Sequence, residues 1–200
     1  MTVEIVIGIS GASGAGYGIR LLEILNRMNK QAKMNATPAE KIKIHLVMTK
    51  SAEDIIRIET DKTPEDIKKL ADFVYDEKDF TAPIASGSYR VLGMIIAPCS
   101  MKTLGQIANG ISDNLLARAA DVCLKDERKL ILMTRETPLN LIHLENMVTA
   151  KKAGATILPA SPGFYSRPQT IDDLYDIMTG RALDLIGIEN DVYKRWKHQP

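Results

Sequence analysis

Cysteine is scarce: Cys99 and Cys123 are the whole supply in 200 residues, too few for the disulfide framework of a small secreted scaffold. Excess charge is missing too. Lysine plus arginine number 26 against 25 aspartate plus glutamate, a net of +1, so there is no bulk field for nucleic acid or an anionic membrane, and any anion site must be local. No apolar run approaches the roughly 20 residues that span a bilayer. The opening MTVEIVIGIS has neither a basic segment nor a small-residue cleavage signal and reads as a first strand, which makes a reducing cytoplasm the expected setting. His45, His143 and His198 stand far apart without ligand spacing, and no metal site is expected.

What is present is globular in kind. Hydrophobic residues make up 45% and charged residues 26%, enough apolar material for one core. The economical division is one domain over residues 1–188 and a charged tail over 189–200 that carries the only tryptophan, Trp196.

β-Branched runs at Val3–Ile9, Ile42–Met48, Val91–Ala97, Lys129–Met133 and Ala155–Leu158 alternate with helically spaced segments such as Tyr17–Met28 and Ser112–Lys125. Asn29–Lys41 reads as a surface loop. Strand–helix alternation predicts an α/β chain, a three-layer α/β/α with a mainly parallel sheet of Rossmann-like type. Ligands of such sheets bind beyond the carboxyl ends of the strands. There the chain places Ser10-Gly11-Ala12-Ser13-Gly14, Thr49-Lys50-Ser51, Cys99-Ser100-Met101-Lys102-Thr103, Arg135-Glu136 and the segment Pro159–Pro168.

A glycine turn opening a helix suits a phosphate, because backbone N–H groups are accessible and the helix dipole favours an anion. Its glycines are not spaced G-x-G-x-x-G, the second strand ends in Thr49 and not in an acid, and no G-x-x-x-x-G-K-[ST] occurs. A mononucleotide such as FMN fits these constraints best, with a turn built only for packing as the alternative. Ser100 and Thr103 can hold a phosphate or a polar ring edge. Arg118 and Lys125, two helical turns apart, share a face and can address an anion about 10 Å long, or simply face solvent. Arg135-Glu136 falls at the ligand edge, as a working pair or a structural salt bridge. Asp172, Asp173 and Asp176 spell D-D-x-x-D, but after Thr170 they read as helix-start acids and not as a magnesium site. Cys99 lacks a partner for nucleophilic work, and Cys123 falls on an apolar stripe.

Long blocks in order, among them GISGASGAGYGIRLLE, HLVMTKSA, SGSYRVLGMIIAPCSMKTLGQIANGISDNLLARAADVCLK, LILMTRETPLNLIHLENM and PASPGFYSRPQTIDDLYDIMTGRALDLIGI, closely resemble the UbiX-type flavin prenyltransferases, a family once described as aromatic-acid decarboxylases. The resemblance implies a flavodoxin-like fold and transfer of a dimethylallyl group from dimethylallyl (mono)phosphate to N5 and C6 of reduced FMN, giving the prenylated FMN that UbiD-type decarboxylases need. It also implies a homo-oligomer, commonly a dodecamer, whose sites neighbouring subunits complete. Residue by residue it marks Gly11, Ala12, Ser13, Thr49, Ser100, Met101, Lys102, Thr103 and Arg135 for FMN. Thr49 stands where serine is more usual. Tyr165 and Arg181 match prenyl-phosphate positions, with Lys125 and Arg118 as further anion contacts and Tyr89 as an aromatic face for the allyl group. Glu59 and Glu136, with Ser13, form the expected catalytic set. Glu59 is expected to handle a proton near N5 and C6 with a raised pKa, and Glu136 to protonate the departing phosphate. The competing readings are a flavoprotein that decarboxylates peptidyl cysteines, whose histidine and P-x-M-N-type motif are missing here, and a non-catalytic flavin-binding subunit; a nicotinamide dehydrogenase is more distant.

Overall fold

The computed structural model of the chain describes residues 2–34 and 41–196. In chain order the elements are β1 (Thr2–Ile9), α1 (Ala15–Met34), β2 (Lys41–Met48), α2 (Lys50–Glu59), α3 (Pro64–Lys68), β3 (Phe73–Tyr75), β4 (Gly93–Cys99), α4 (Met101–Ala108), α5 (Leu115–Lys125), β5 (Lys129–Thr134), α6 (Leu141–Lys152), β6 (Thr156–Ile157) and α7 (Ile171–Ile186), with a short 3-10 turn at Pro83–Ala85. The strands form one sheet in the order β3-β2-β1-β4-β5-β6, and every pairing is parallel. Without the three-residue edge strand β3, the other five run in the 2-1-3-4-5 order of a flavodoxin-like sheet.

Strand alternation builds two cores. Ile5, Ile7 and Ile9 of β1 pack on one face with α1, α2 and α7, while Val6 joins Met94 and Ile96 on the other face with α4, α5 and α6. The winding of the sheet reverses between β1 and β4, and Ser10 fastens that switch point. Its hydroxyl donates to the Pro98 carbonyl at 2.8 Å and accepts from the Ser100 N–H at 2.8 Å.

One expectation is corrected and one strand is added. Asn29–Met34 is not loop but the last part of α1, a run of good helix formers that Asn29 ties to β2 by bonding both the N–H and the carbonyl of Ile42, at 2.9 and 2.6 Å; residues 35–40 lie outside the described residues. The third strand, β3, escaped the pattern because three residues at a sheet edge carry no periodicity. Within the tail, Arg195 forks onto Asp184 of α7 at 2.7 and 2.8 Å, and Trp196 sets its ring against Tyr165 at 5.3 Å; residues 197–200 lie outside the described residues.

Candidate active site

The carboxyl ends of β1, β2, β4 and β5 converge on one rim. Thr49 joins it by donating its N–H to the Ile9 carbonyl at 3.0 Å, and its buried side-chain oxygen caps α2 by accepting from the Ala52 N–H at 3.2 Å. Ser100 caps α4 in the same way, accepting from the Thr103 N–H at 3.3 Å and donating to the Thr103 hydroxyl at 3.1 Å. Both helix starts therefore face the rim with their caps in place. Gly11 is held against α2 so closely that a methyl group there would fall 2.4 Å from Ser51 Cβ, and Gly14 has φ of +96°, which L side chains rarely adopt. Ala12 is buried, Met101 half-buried and Lys102 exposed.

The structure revises the reading of the glycine turn. Glu59, the last residue of α2, reaches across to the start of α1, where its Oε2 accepts from the N–H groups of Gly14 at 2.8 Å and Ala15 at 3.0 Å. These donors hold an internal carboxylate, not a free phosphate seat. α1 has no acidic residue in its first turn, and Glu59 supplies that charge from 44 residues away. Burial pushes the Glu59 carboxyl up, but the Ser13 hydroxyl, the Ala15 and Gly14 N–H groups and the nearby Arg135 outweigh it and hold the pKa below the ordinary glutamate value. The expected raised pKa is thus corrected: Glu59 is ionised. Arg135 closes the group by donating Nε to the Ser13 carbonyl at 2.9 Å.

Tyr17 and Tyr175, which no sequence motif singles out, stand beside this group. Their rings meet edge to face at 4.8 Å, and Tyr17 lies 3.2 Å from where a Gly14 side chain would begin. Burial raises both phenol pKas; Tyr175 also feels Glu59, while Arg135 partly offsets the rise at Tyr17. The available sequence signal is an aromatic in the first turn after a glycine loop. Glu136 is exposed and accepts from the Thr137 N–H at 3.1 Å. Beside Arg135, the buried Thr134 hydroxyl has no hydrogen-bond partner.

The remaining expected residues contact other groups within the chain. α5 runs back across the sheet, so Lys125 lies just before β5 begins, at the amino-terminal edge. There Lys125 pairs with Asp126 at 2.5 Å, and Arg118, further up the helix, bonds the Ala85 carbonyl at 3.1 Å and Asp121 at 2.6 Å. Tyr89 gives its hydroxyl to Glu4, itself about 17 Å of strand away from the glycine turn, so within its own chain it offers no face to that rim. Tyr165 and Arg181 form a third group with the tail. Tyr193 and Asp184 keep the Arg181 guanidinium strongly protonated, and Tyr165 is close enough to add to the effect. Of the D-D-x-x-D acids, Asp172 and Asp176 pair with Arg20 at 3.3 and 2.7 Å and Asp173 completes a capping box with Thr170.

The sequence matches the flavoprotein family over residues 1–188. It is 49% identical over 194 residues to the flavin prenyltransferase UbiX of Thauera aromatica, an alignment covering 97% of this chain and 94% of that one. The chain belongs to the UbiX family of flavoproteins. Among solved UbiX structures, that of AnUbiX in complex with FMN and dimethylallyl pyrophosphate superposes with a TM-score of 0.91 at 43% identity and covers 100% of both chains. A dodecameric FMN-dependent UbiX-like decarboxylase from Escherichia coli O157:H7 superposes at 0.89 with 42% identity, covering 98% of this chain and all of the other. Among the described residues of this UbiX chain no helix is long and apolar enough to cross a membrane.

Proposed function

We propose that the chain is a flavin prenyltransferase that joins a dimethylallyl group from a dimethylallyl phosphate to N5 and C6 of reduced FMN. The observation that carries the reading is the rim at the sheet's switch point, where capped helix starts, Lys102 and Arg135 surround the glycine turn in a fold that matches AnUbiX, with its FMN and dimethylallyl pyrophosphate, along its whole length. The donor set fits a flavin mononucleotide. Hydroxyls and cations suit its phosphate and ring carbonyls, and the orphaned Thr134 hydroxyl at the end of β5 leaves the rim with unsatisfied polar capacity. Gly11, Ala12, Ser13, Thr49, Ser100, Met101, Lys102, Thr103 and Arg135 are the residues assigned to hold it. Bound and reduced, the flavin supplies the electron-rich N5 and C6 at which the allyl carbon is received.

The rest falls to the side chains. Ionising an allylic carbon–oxygen bond requires fixed positive charge where the phosphate gathers its electrons, the task given to Arg181, Lys125 and Arg118 with Tyr165. The single chain keeps Lys125 at the far edge of its sheet and Arg118 on the Ala85 carbonyl and Asp121, so a neighbouring copy must bring them to the rim. The E. coli relative is a dodecamer, and this chain exposes an apolar face on and beside α6, with Leu141 68%, Ile142 65% and Val148 53% accessible, for a second copy to cover. Glu136, free of any salt bridge among the described residues, protonates the leaving phosphate. Glu59 starts ionised and so accepts a proton; its depressed pKa makes it a weak base, and Ser13 shares the transfer. The product, prenylated FMN, would then serve a UbiD-type decarboxylase.

Anaerobic incubation with reduced FMN and dimethylallyl monophosphate tests the reading. A new flavin spectrum and a mass increased by one prenyl unit are expected, and an unchanged flavin overturns it. A peptidyl-cysteine decarboxylase would leave the flavin unmodified. The two described histidines also argue against that chemistry, since His45 is enclosed with Glu4 and His143 caps the start of α6.

A further inference from the structure

Towards the amino-terminal end of the sheet, side chains from three strands and one loop close into a hydrogen-bonded group. His45 of β2 is fully buried, with Nε2 2.9 Å from Glu4 Oε2 and Nδ1 2.9 Å from the Tyr75 hydroxyl, and the Tyr89 hydroxyl donates to the same Glu4 oxygen. The Tyr89 hydroxyl, helped by His45 and Lys43, holds the Glu4 carboxyl below its ordinary value against the effect of burial, and burial pushes the His45 pKa down. Glu4 is a carboxylate and His45 is neutral. A carboxylate only accepts, so Nε2 carries the ring proton and Nδ1 accepts from Tyr75. The imidazole stacks on Phe73 at 4.7 Å and takes the Tyr89 ring on its side at 5.5 Å.

Tyr89 ends a loop that is gripped from the other direction by α5 and the turn between α5 and β5. In that turn, Arg128 donates to the Gly87 and Tyr89 carbonyls at 2.5 and 2.7 Å and to Asp126 at 2.9 Å, and Asp126 pairs with Lys125. A methyl group on Gly87 would fall 2.5 Å from Lys125 Nζ, and Arg118 bonds the Ala85 carbonyl. The loop and the two proposed anion-binding cations therefore form one assembly, and the Tyr89 hydroxyl joins it to the sheet.

We infer that Glu4, oriented by His45 and Tyr75, is a positioning residue for prenyl-phosphate binding, acting through the Tyr89 hydroxyl to set the 85–89 loop against Lys125 and Arg118. Tyr89 is then a positioning residue as well, and not a surface for the allyl group. The inference rests on the prenyl-transfer reading. The full chain and its Glu4→Gln and Tyr89→Phe variants are assayed anaerobically. In Tyr89→Phe, loss of one hydrogen bond to a charged group should raise KM for dimethylallyl monophosphate about tenfold while kcat stays within about threefold, with a smaller rise in KM for Glu4→Gln, whose amide oxygen can still accept. FMN affinity should be unchanged. Amide exchange should quicken at residues 85–89 and the end of α5 but not at residues 10–15.

An unchanged KM in Tyr89→Phe overturns the inference, as does a parallel loss of KM and FMN affinity, which would mark general loosening. Tyr89→Phe removes a single oxygen and decides the matter if Glu4→Gln does not fold. A wild-type protein that makes no prenylated flavin sinks the parent reading before any variant is made; the exchange pattern then decides the anchoring alone, and unchanged exchange at 85–89 in Tyr89→Phe refutes it.

Discussion

Glu59→Gln separates the structural and chemical duties of one carboxylate. The glutamate takes two N–H groups, at 2.8 and 3.0 Å, at the start of a 20-residue helix that has no first-turn acid of its own. A glutamine oxygen can still accept both, but without the charge that strengthens the bonds and complements the helix dipole. Discounted for its exposed position, that charge stabilises the fold by about 1 kcal/mol, and for a chain of this size Tm should fall by about 2–4 °C. The pH dependence has a definite sign. A carboxyl whose folded pKa is depressed contributes stability that is fully present above the ordinary value of 4.5 and is lost as pH falls through the lower folded value. The gap between wild type and variant in calorimetric melts should therefore be constant from neutrality down to mildly acidic pH and narrow below pH 4.5. In the anaerobic assay the variant should retain FMN yet form prenylated flavin at least about a hundredfold more slowly, the usual scale for a lost proton-transfer group. Equal melting temperatures at neutral pH would refute the capping argument, and wild-type turnover would remove Glu59 from the chemistry.

Gly11→Ala forces a methyl group to 2.4 Å from Ser51 Cβ and should cost about 1–3 kcal/mol in urea unfolding together with FMN affinity; wild-type values would show that the turn and α2 can separate freely. Lys125→Met and Arg135→Met should each be inactive, but co-expressed chains should regain activity in mixed oligomers, because one cation comes from a neighbour's far sheet edge; no recovery would place both in one chain's site. Val148→Asp, on the exposed face of α6, should yield a smaller assembly in light scattering, and an unchanged mass would exclude that face from the interface. Asp184→Asn removes the charge and one of the two oxygens that hold Arg195 and Tyr193 and should speed tryptic cleavage at Lys194 and Arg195, whereas an unaltered rate would show the tail held by other contacts.

Apart from β3, the order of elements and the identity of the rim are legible in the chain itself. Strand–turn–helix alternation is a local pattern, and a parallel sheet must send every strand's carboxyl end to the same edge, so Ser10–Ser13, Thr49, Ser100–Thr103 and Arg135 can be grouped from the linear order alone. Contacts between distant segments decided the rest. Nothing near Glu59 in sequence announces that it caps a helix beginning 44 residues earlier, and that contact sets its charge. The spacing of Arg118 and Lys125 gave their common helix face, but the direction in which α5 crosses the sheet carries Lys125 to the amino-terminal edge, away from its own chain's glycine turn. Tyr89 offered an aromatic ring in sequence, and only the meeting of β1, β2, β3 and the 85–89 loop turned its hydroxyl toward Glu4. Local propensity fixes which elements form; which side chains share charge and protons depends on packing between elements that the linear order does not bring together.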